Sequence, residues 1–228
     1  MSAASEKRQF DTGAAVTRSL LGWGVVAGPF YLIVGVTLAL TRSGFELAEH
    51  PLSLLMVGDH GWLQTTNLAL SGLMTIAAAV GFRRALPESR AGRVTAILLG
   101  VYGLCVVASA VFEPDPMAGF PAGADETVTT AGMLHFVFGA IGFLAAAVAA
   151  FVLARWFAER GADSAARWSR VAGTIVVVGF FGGGAMSSNA AGVGLLWIAV
   201  VTIWTWLLLA SLRVYATVPH PDGPSLPT

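Results

Sequence analysis

Charged side chains are scarce in this chain. They make up 11% of its 228 residues, against roughly 25% in a typical soluble domain. Cysteine is nearly absent. Cys105 stands alone, which excludes an internal disulfide and a CxxC redox pair. It lies mid-way along an apolar run, where a thiol behaves as a small apolar group. No HxxxH or HExxH spacing occurs among the 4 histidines, and those are the helical spacings that zinc sites favour. The formal net charge is zero, and no basic face is left over for nucleic acid. The apolar runs do not alternate in polarity over about ten residues, as the strands of an outer-membrane barrel would.

What is present is apolar length. Hydrophobic residues make up 56% of the chain and mean hydropathy is +0.74, more apolar surface than a soluble core of this size could hide. Six long runs stand out, at 20–41, 61–82, 95–112, 132–153, 171–186 and 194–212. About 20 apolar residues cross about 30 Å of hydrocarbon. In lipid each backbone N–H and C=O must be satisfied within its segment, so the runs are predicted to be helices. The fold class expected is an all-α, six-transmembrane-helix bundle. Its domains are a tail at 1–19, the bundle at 20–212 and a tail at 213–228. The first run exceeds the roughly 7–15 residues of a signal-peptide core and no A-x-A cleavage site follows it, so it reads as a retained anchor. The amino-terminal tail reads as polar and mobile. Residues 219–228 carry four prolines and read as disordered.

Charge orients the bundle. Of 13 Lys and Arg residues, all but Arg42 fall in the amino-terminal tail, in 83–93, in 155–170 or at Arg213. The alternate loops collect Glu46, Glu49, Asp59, Glu113, Asp115, Asp125 and Glu126. Basic residues mark the cytoplasmic side. The expected location is a cell membrane, with both termini cytoplasmic and the acidic side facing out.

Glycine is abundant, with 27 residues. Gly139 and Gly142 share one side of the fourth run, and Gly179 with Gly182, Gly183 and Gly184 crowd the fifth. Such residues serve close helix packing or break a helix for function. Trp23, Trp62, Trp156, Trp168 and Trp197 lie near run ends, where tryptophan anchors to the membrane interface.

The acidic side carries the residues that point to chemistry. Pro51 and Gly58 bracket an apolar stretch and predict a short helix lying over the bundle, with Asp59 capping the next span. Gln64, Asn67 and Ser71 are spaced i, i+3, i+7 and share a helix face. Pro114 and Pro116 hold Glu113 and Asp115 where the third run stops. His135 lies about one turn into the fourth run and needs a partner, for which Glu113 or Asp115 is at the right depth. Ser187, Ser188 and Asn189 follow the glycines at the same level. This cluster admits a structural polar network, general acid–base chemistry or a metal site; no metal ligand set is assigned and no cofactor is expected.

The segments Gly44-Phe45, His50-Pro51-Leu52-Ser53-Leu54-Leu55, Gly58-Asp59, Gly61-Trp62-Leu63-Gln64 and Asn67 occur in that order. Phe112-Glu113-Pro114-Asp115-Pro116, Gly119-Phe120-Pro121-Ala122-Gly123 and Gly132-Met133-Leu134-His135 follow. Together they resemble the bacterial membrane family catalogued as domain of unknown function 998, over roughly residues 20–212. The resemblance implies a six-helix protein of a bacterial cell membrane with no agreed activity, and it assigns no catalytic role.

Two function classes follow. One is an acid–base enzyme, of isomerase, cyclase or hydrolase type, acting on a hydrophobic or lipid-like molecule in an outward-facing pocket. Asp115 or Glu113 would be its acid and His135 its base or orienting partner, with His50 approaching from the lid. Gln64, Asn67 and Asn189 would position the substrate, with Trp62 beside them. The other is a proton- or cation-linked transporter, which with six spans would need a homodimer, or a non-enzymatic lipid binder. The partners expected are the bilayer and a hydrophobic small molecule, not nucleic acid.

Overall fold

The computed structural model describes residues 10–222. The expectations for 1–9 and 223–228 lie outside the described residues. Six helices follow in order: α1 (Thr12–Thr41), α2 (Gly61–Ala85), α3 (Arg90–Val111), α4 (Thr130–Ala158), α5 (Asp163–Ala185) and α6 (Ala190–Tyr215). Each is long and apolar enough to cross a membrane. Among the described residues there is no strand, only an isolated bridge between Met117 and Phe120. This is a multi-pass membrane protein. Consecutive helices pack as neighbours and α6 returns against α1, so the six close into a ring. One end of the ring carries the basic loops and the other the acidic loops.

Helix starts are set by side-chain caps. Asp11, Ser89, Thr129 and Asn189 each accept a hydrogen bond from a backbone N–H three residues on, which satisfies donors the first turn leaves open. The Asp11 cap lets α1 begin at Thr12, so 12–19 are helical rather than a mobile tail. The far end of the chain is also fastened. Asp11 N–H donates to the Pro221 carbonyl at 2.9 Å. Arg18 donates to the Val218 carbonyl at 2.7 Å and lies 4.0 Å over the Tyr215 ring. Disorder therefore does not begin at residue 213, or at 219, as expected.

Asp59 does not cap α2. Gly61 N–H bonds to the Gly58 carbonyl at 2.8 Å, and Gly61 sits directly on the Met56 carbonyl, with no room for a Cβ. The predicted short helix is there, as a 3₁₀ turn over Leu52–Met56. Leu52, Leu54, Leu55 and Met56 are all buried, and Leu52 seats on Gly35 of α1. The glycines of α5 do not break it. They wind it into a π segment, Val178–Gly182, before the helix ends.

Burial along α4 is uneven. Its buried residues begin at Gly142 and run to Phe157, and none lies between 130 and 141. The acidic-end half of α4 is only partly covered by the bundle, while the other half is sealed into it.

Candidate functional site: a lipid-facing cavity under an interlocked lid

The gap behind the acidic-end half of α4 is a cavity of about 760 Å³. Its roof includes Pro51, Leu52 and Ser53 of the lid and the 114–117 and 126–128 stretches of the loop between α3 and α4. Its walls include Phe136 and Phe143 of α4, Phe180 of α5, and Trp197 and Trp204 of α6. Tyr31, Tyr102 and Cys105 line it from α1 and α3. The volume lies within the roughly 300–1,000 Å³ usual for small-molecule sites. Phe136 and Met133, both lining it, are 51% and 52% exposed, so the cavity is bordered by a lipid-facing wall.

The lid is held by His50, which is 2% exposed. Its Nδ1 accepts from Glu46 N–H at 2.8 Å. The proton is therefore on Nε2, which donates to the Ala118 carbonyl at 3.1 Å. Phe45 and Phe120 flank the ring at 5.2 and 5.3 Å. Ala118 adopts φ 51°, beside Gly119 at 74°, a left-handed turn that aims this carbonyl at the imidazole. Trp197 Nε1 donates to the His50 carbonyl at 3.2 Å. Arg42, the lone base at the acidic end, donates to the Val57 carbonyl at 2.7 Å and lies 5.5 Å from the Phe120 ring centre. His50 and Trp197 thus join the two acidic-end loops to α6, and His50 does not line the cavity.

Asp115 and His135 do line it, but they do not pair. Among the described residues no ion pair involves either one. Asp115 accepts from the Thr129 hydroxyl at 2.6 Å and from Thr129 N–H at 3.1 Å. Thr129 Oγ1 in turn accepts from Gly132 N–H at 3.0 Å. The carboxylate sits at the start of α4, where the helix dipole favours negative charge. His135 takes its partners from backbone. Its Nδ1 lies 2.9 Å from the Ser109 carbonyl and 2.8 Å from the Phe112 carbonyl. Both are acceptors, so Nδ1 carries the proton, and the imidazole caps the end of α3, where carbonyls lack helical partners. Its Nε2 has no protein partner among the described residues, and it is not one of the sealed polar atoms.

The other expected site residues lie elsewhere. Glu113 is exposed and outside the cavity lining. Trp62 is 63% exposed, as befits an interface anchor. Asn189 is used as the α6 cap, 3.1 Å from Gly192 N–H. Gln64 and Asn67 are buried against α1: Asn67 Nδ2 donates to Gln64 Oε1 and to the Tyr31 carbonyl, both at 3.1 Å. Trp156, expected at the interface, is 4% exposed. No three His, Cys, Asp or Glu side chains among the described residues converge as metal ligands. The sequence reading passed over Tyr31, Tyr102, Phe143, Phe180 and Trp204. A signal was available: 2 of the 3 tyrosines sit mid-span, where a phenol hydroxyl is costly to bury.

Comparison with known proteins finds no match among curated proteins or solved structures. The family model described as "Protein of unknown function (DUF998)" matches residues 25–213. That match covers most of the chain and nearly all of the six-helix ring, and the chain belongs to this family.

Proposed function

We propose that the protein binds a hydrophobic, lipid-like molecule that enters the cavity sideways from the membrane, past the acidic-end half of α4. The charge split supports entry from the outer leaflet, and the resemblance to a bacterial family supports a bacterial cell membrane. One observation carries the reading: an apolar, aromatic-walled cavity beside a helix half with no buried residue. Apolar contact drives such binding, and a few fixed polar groups set orientation.

Acid–base catalysis in the same cavity is the second reading, favoured by Asp115 and His135 both lining it. Against it, Asp115 is held by Thr129 and His135 by carbonyls of α3. Binding is the simpler use of this geometry.

The test uses purified full-length protein in nanodiscs and 1-bromododecane as probe. Bromine quenches nearby tryptophan, and both Trp197 and Trp204 line the cavity. Wild type should show saturable quenching. Gly139→Leu points a side chain at Phe180, 3.3 Å from where its Cβ would sit, and should remove the saturable part while leaving a cooperative melt. Quenching that is linear in probe, and equal in both proteins, would defeat the proposal.

A further inference from the structure

We infer that the molecule this cavity holds is a neutral lipid with a flat, carbonyl-bearing ring, the chemistry of a lipid quinone, and that the hydroxyls of Tyr31 and Tyr102 bind its carbonyl. The inference rests on the binding reading above and sharpens it.

The hydroxyls come first. Tyr31 and Tyr102 are only 6% and 1% exposed and both line the cavity. The Tyr102 hydroxyl has no hydrogen-bond partner among the described residues, and neither hydroxyl is among the sealed polar atoms of the interior. Each therefore reaches the cavity space. The Gln64 side chain is the polar neighbour of the Tyr31 hydroxyl, while the Tyr102 hydroxyl has none among the described residues. An unpartnered Tyr102 phenol beside a second phenol whose polar neighbour is Gln64 calls for an acceptor in the cavity.

Depth and charge define that acceptor. At 1.5 Å per residue, Tyr31 and Tyr102 lie about 15 Å from the acidic ends of their helices, near the middle of a 30 Å hydrocarbon core. A charged group is costly there. No lysine or arginine lines the cavity, and its carboxylates, Asp115 and Glu126, are both acids. An anionic lipid head or a fatty-acid carboxylate would meet repulsion and no counter-charge. A neutral carbonyl meets neither problem.

Shape narrows it further. Trp204 stacks on Tyr31 at 4.9 Å and 28°, and the Tyr102 ring lies 5.6 Å from it. Phe143 stacks on Phe180 at 4.4 Å and 22°. Flat aromatic faces favour a flat ring over a flexible acyl ester.

The experiment titrates wild type, Tyr31→Phe and Tyr102→Phe in nanodiscs with decylubiquinone, 1-dodecanol and 1-bromododecane, reading tryptophan emission or probe competition. Wild type should bind decylubiquinone more tightly than 1-dodecanol. Each Phe variant should lose about three- to tenfold in quinone affinity, the range for one neutral hydrogen bond. Affinity for 1-bromododecane should not change, which also shows that the variants are folded. If wild type binds 1-bromododecane but not decylubiquinone, or binds 1-dodecanol equally well, the quinone inference falls and lipid binding stands. If both Phe variants bind the quinone as wild type does, the tyrosine assignment falls. If no probe binds saturably, the binding reading itself fails.

Discussion

At Asp115 a single carboxylate starts a helix and also borders a cavity. It accepts from Thr129 N–H and Oγ1, and Thr129 Oγ1 caps Gly132. Asp115→Ala should lower stability by about 0.5–1.5 kcal/mol, as for a lost hydrogen bond at an exposed helix start. Thr129→Ala should cost about 1 kcal/mol, as for a lost helix cap. The two act through one contact, so the double variant should cost less than the sum, with a coupling of about 0.5–1 kcal/mol. Thermal melts of the four proteins in one detergent measure this, and strict additivity would show that Asp115 serves something other than the cap. His135 shows what a sequence leaves unsaid at this scale. Its depth and its need for a partner were legible from its place just inside an apolar run. The partner was not, because the carbonyls of Ser109 and Phe112 have no signature in side-chain identity. Carboxylates drew the expectation because they are named residues. Arg42 is the reverse case: it departs from the charge pattern, and its hydrogen bond to the Val57 carbonyl explains why.

Among elements, α5 makes the sharpest contrast. Gly183 and Gly182 are adjacent, and their surroundings differ. A Cβ on Gly183 would come within 2.7 Å of the Gly192 carbonyl and 2.8 Å of Leu196 N, both backbone of α6. One on Gly182 would meet only Leu195 Cδ1, at 3.7 Å. Gly183→Ala should therefore destabilise by about 1–3 kcal/mol, the usual cost of overpacking. Gly182→Ala should be neutral or stabilise by up to about 1 kcal/mol, since alanine favours a helix over glycine. Equal melting temperatures for the two variants would show that α5 does not pack this closely on α6. The crowding of glycines was visible in the sequence as a helix under unusual demand. Whether it signalled a break or close packing depended on the distance to another helix, which composition does not carry. The lid was more legible, because Pro51, Gly58 and the apolar run between them are local signals. The stripe Gln64, Asn67, Ser71 was correctly placed on one face, and that face turned out to be buried among helices rather than open to the cavity.

For the whole molecule, the even number of crossings and the bond between Asp11 and Pro221 bring both ends of the described chain to one side. Ala122 lies in an acidic-end loop and Ser164 at the basic end. Single cysteines there, in a Cys105→Ala background, should react with an impermeant maleimide from opposite sides of sealed vesicles. Reaction from the same side would refute the six-crossing topology. The number of crossings was legible because each needs about 20 apolar residues. The cavity was not, because it depends on how the half-buried part of α4 packs on its neighbours. That half carries a thermodynamic consequence. Residues 130–141 are at most half-buried, so less of the bundle's own packing opposes their local opening than opposes that of the sealed half. An occupant of the cavity would supply the missing contacts. Amide hydrogens of 130–141 should then exchange faster than those beyond Gly142 in delipidated protein, and the gap should narrow as a bound lipid saturates the site. The melting temperature of the protein would in turn rise with the logarithm of that lipid's concentration.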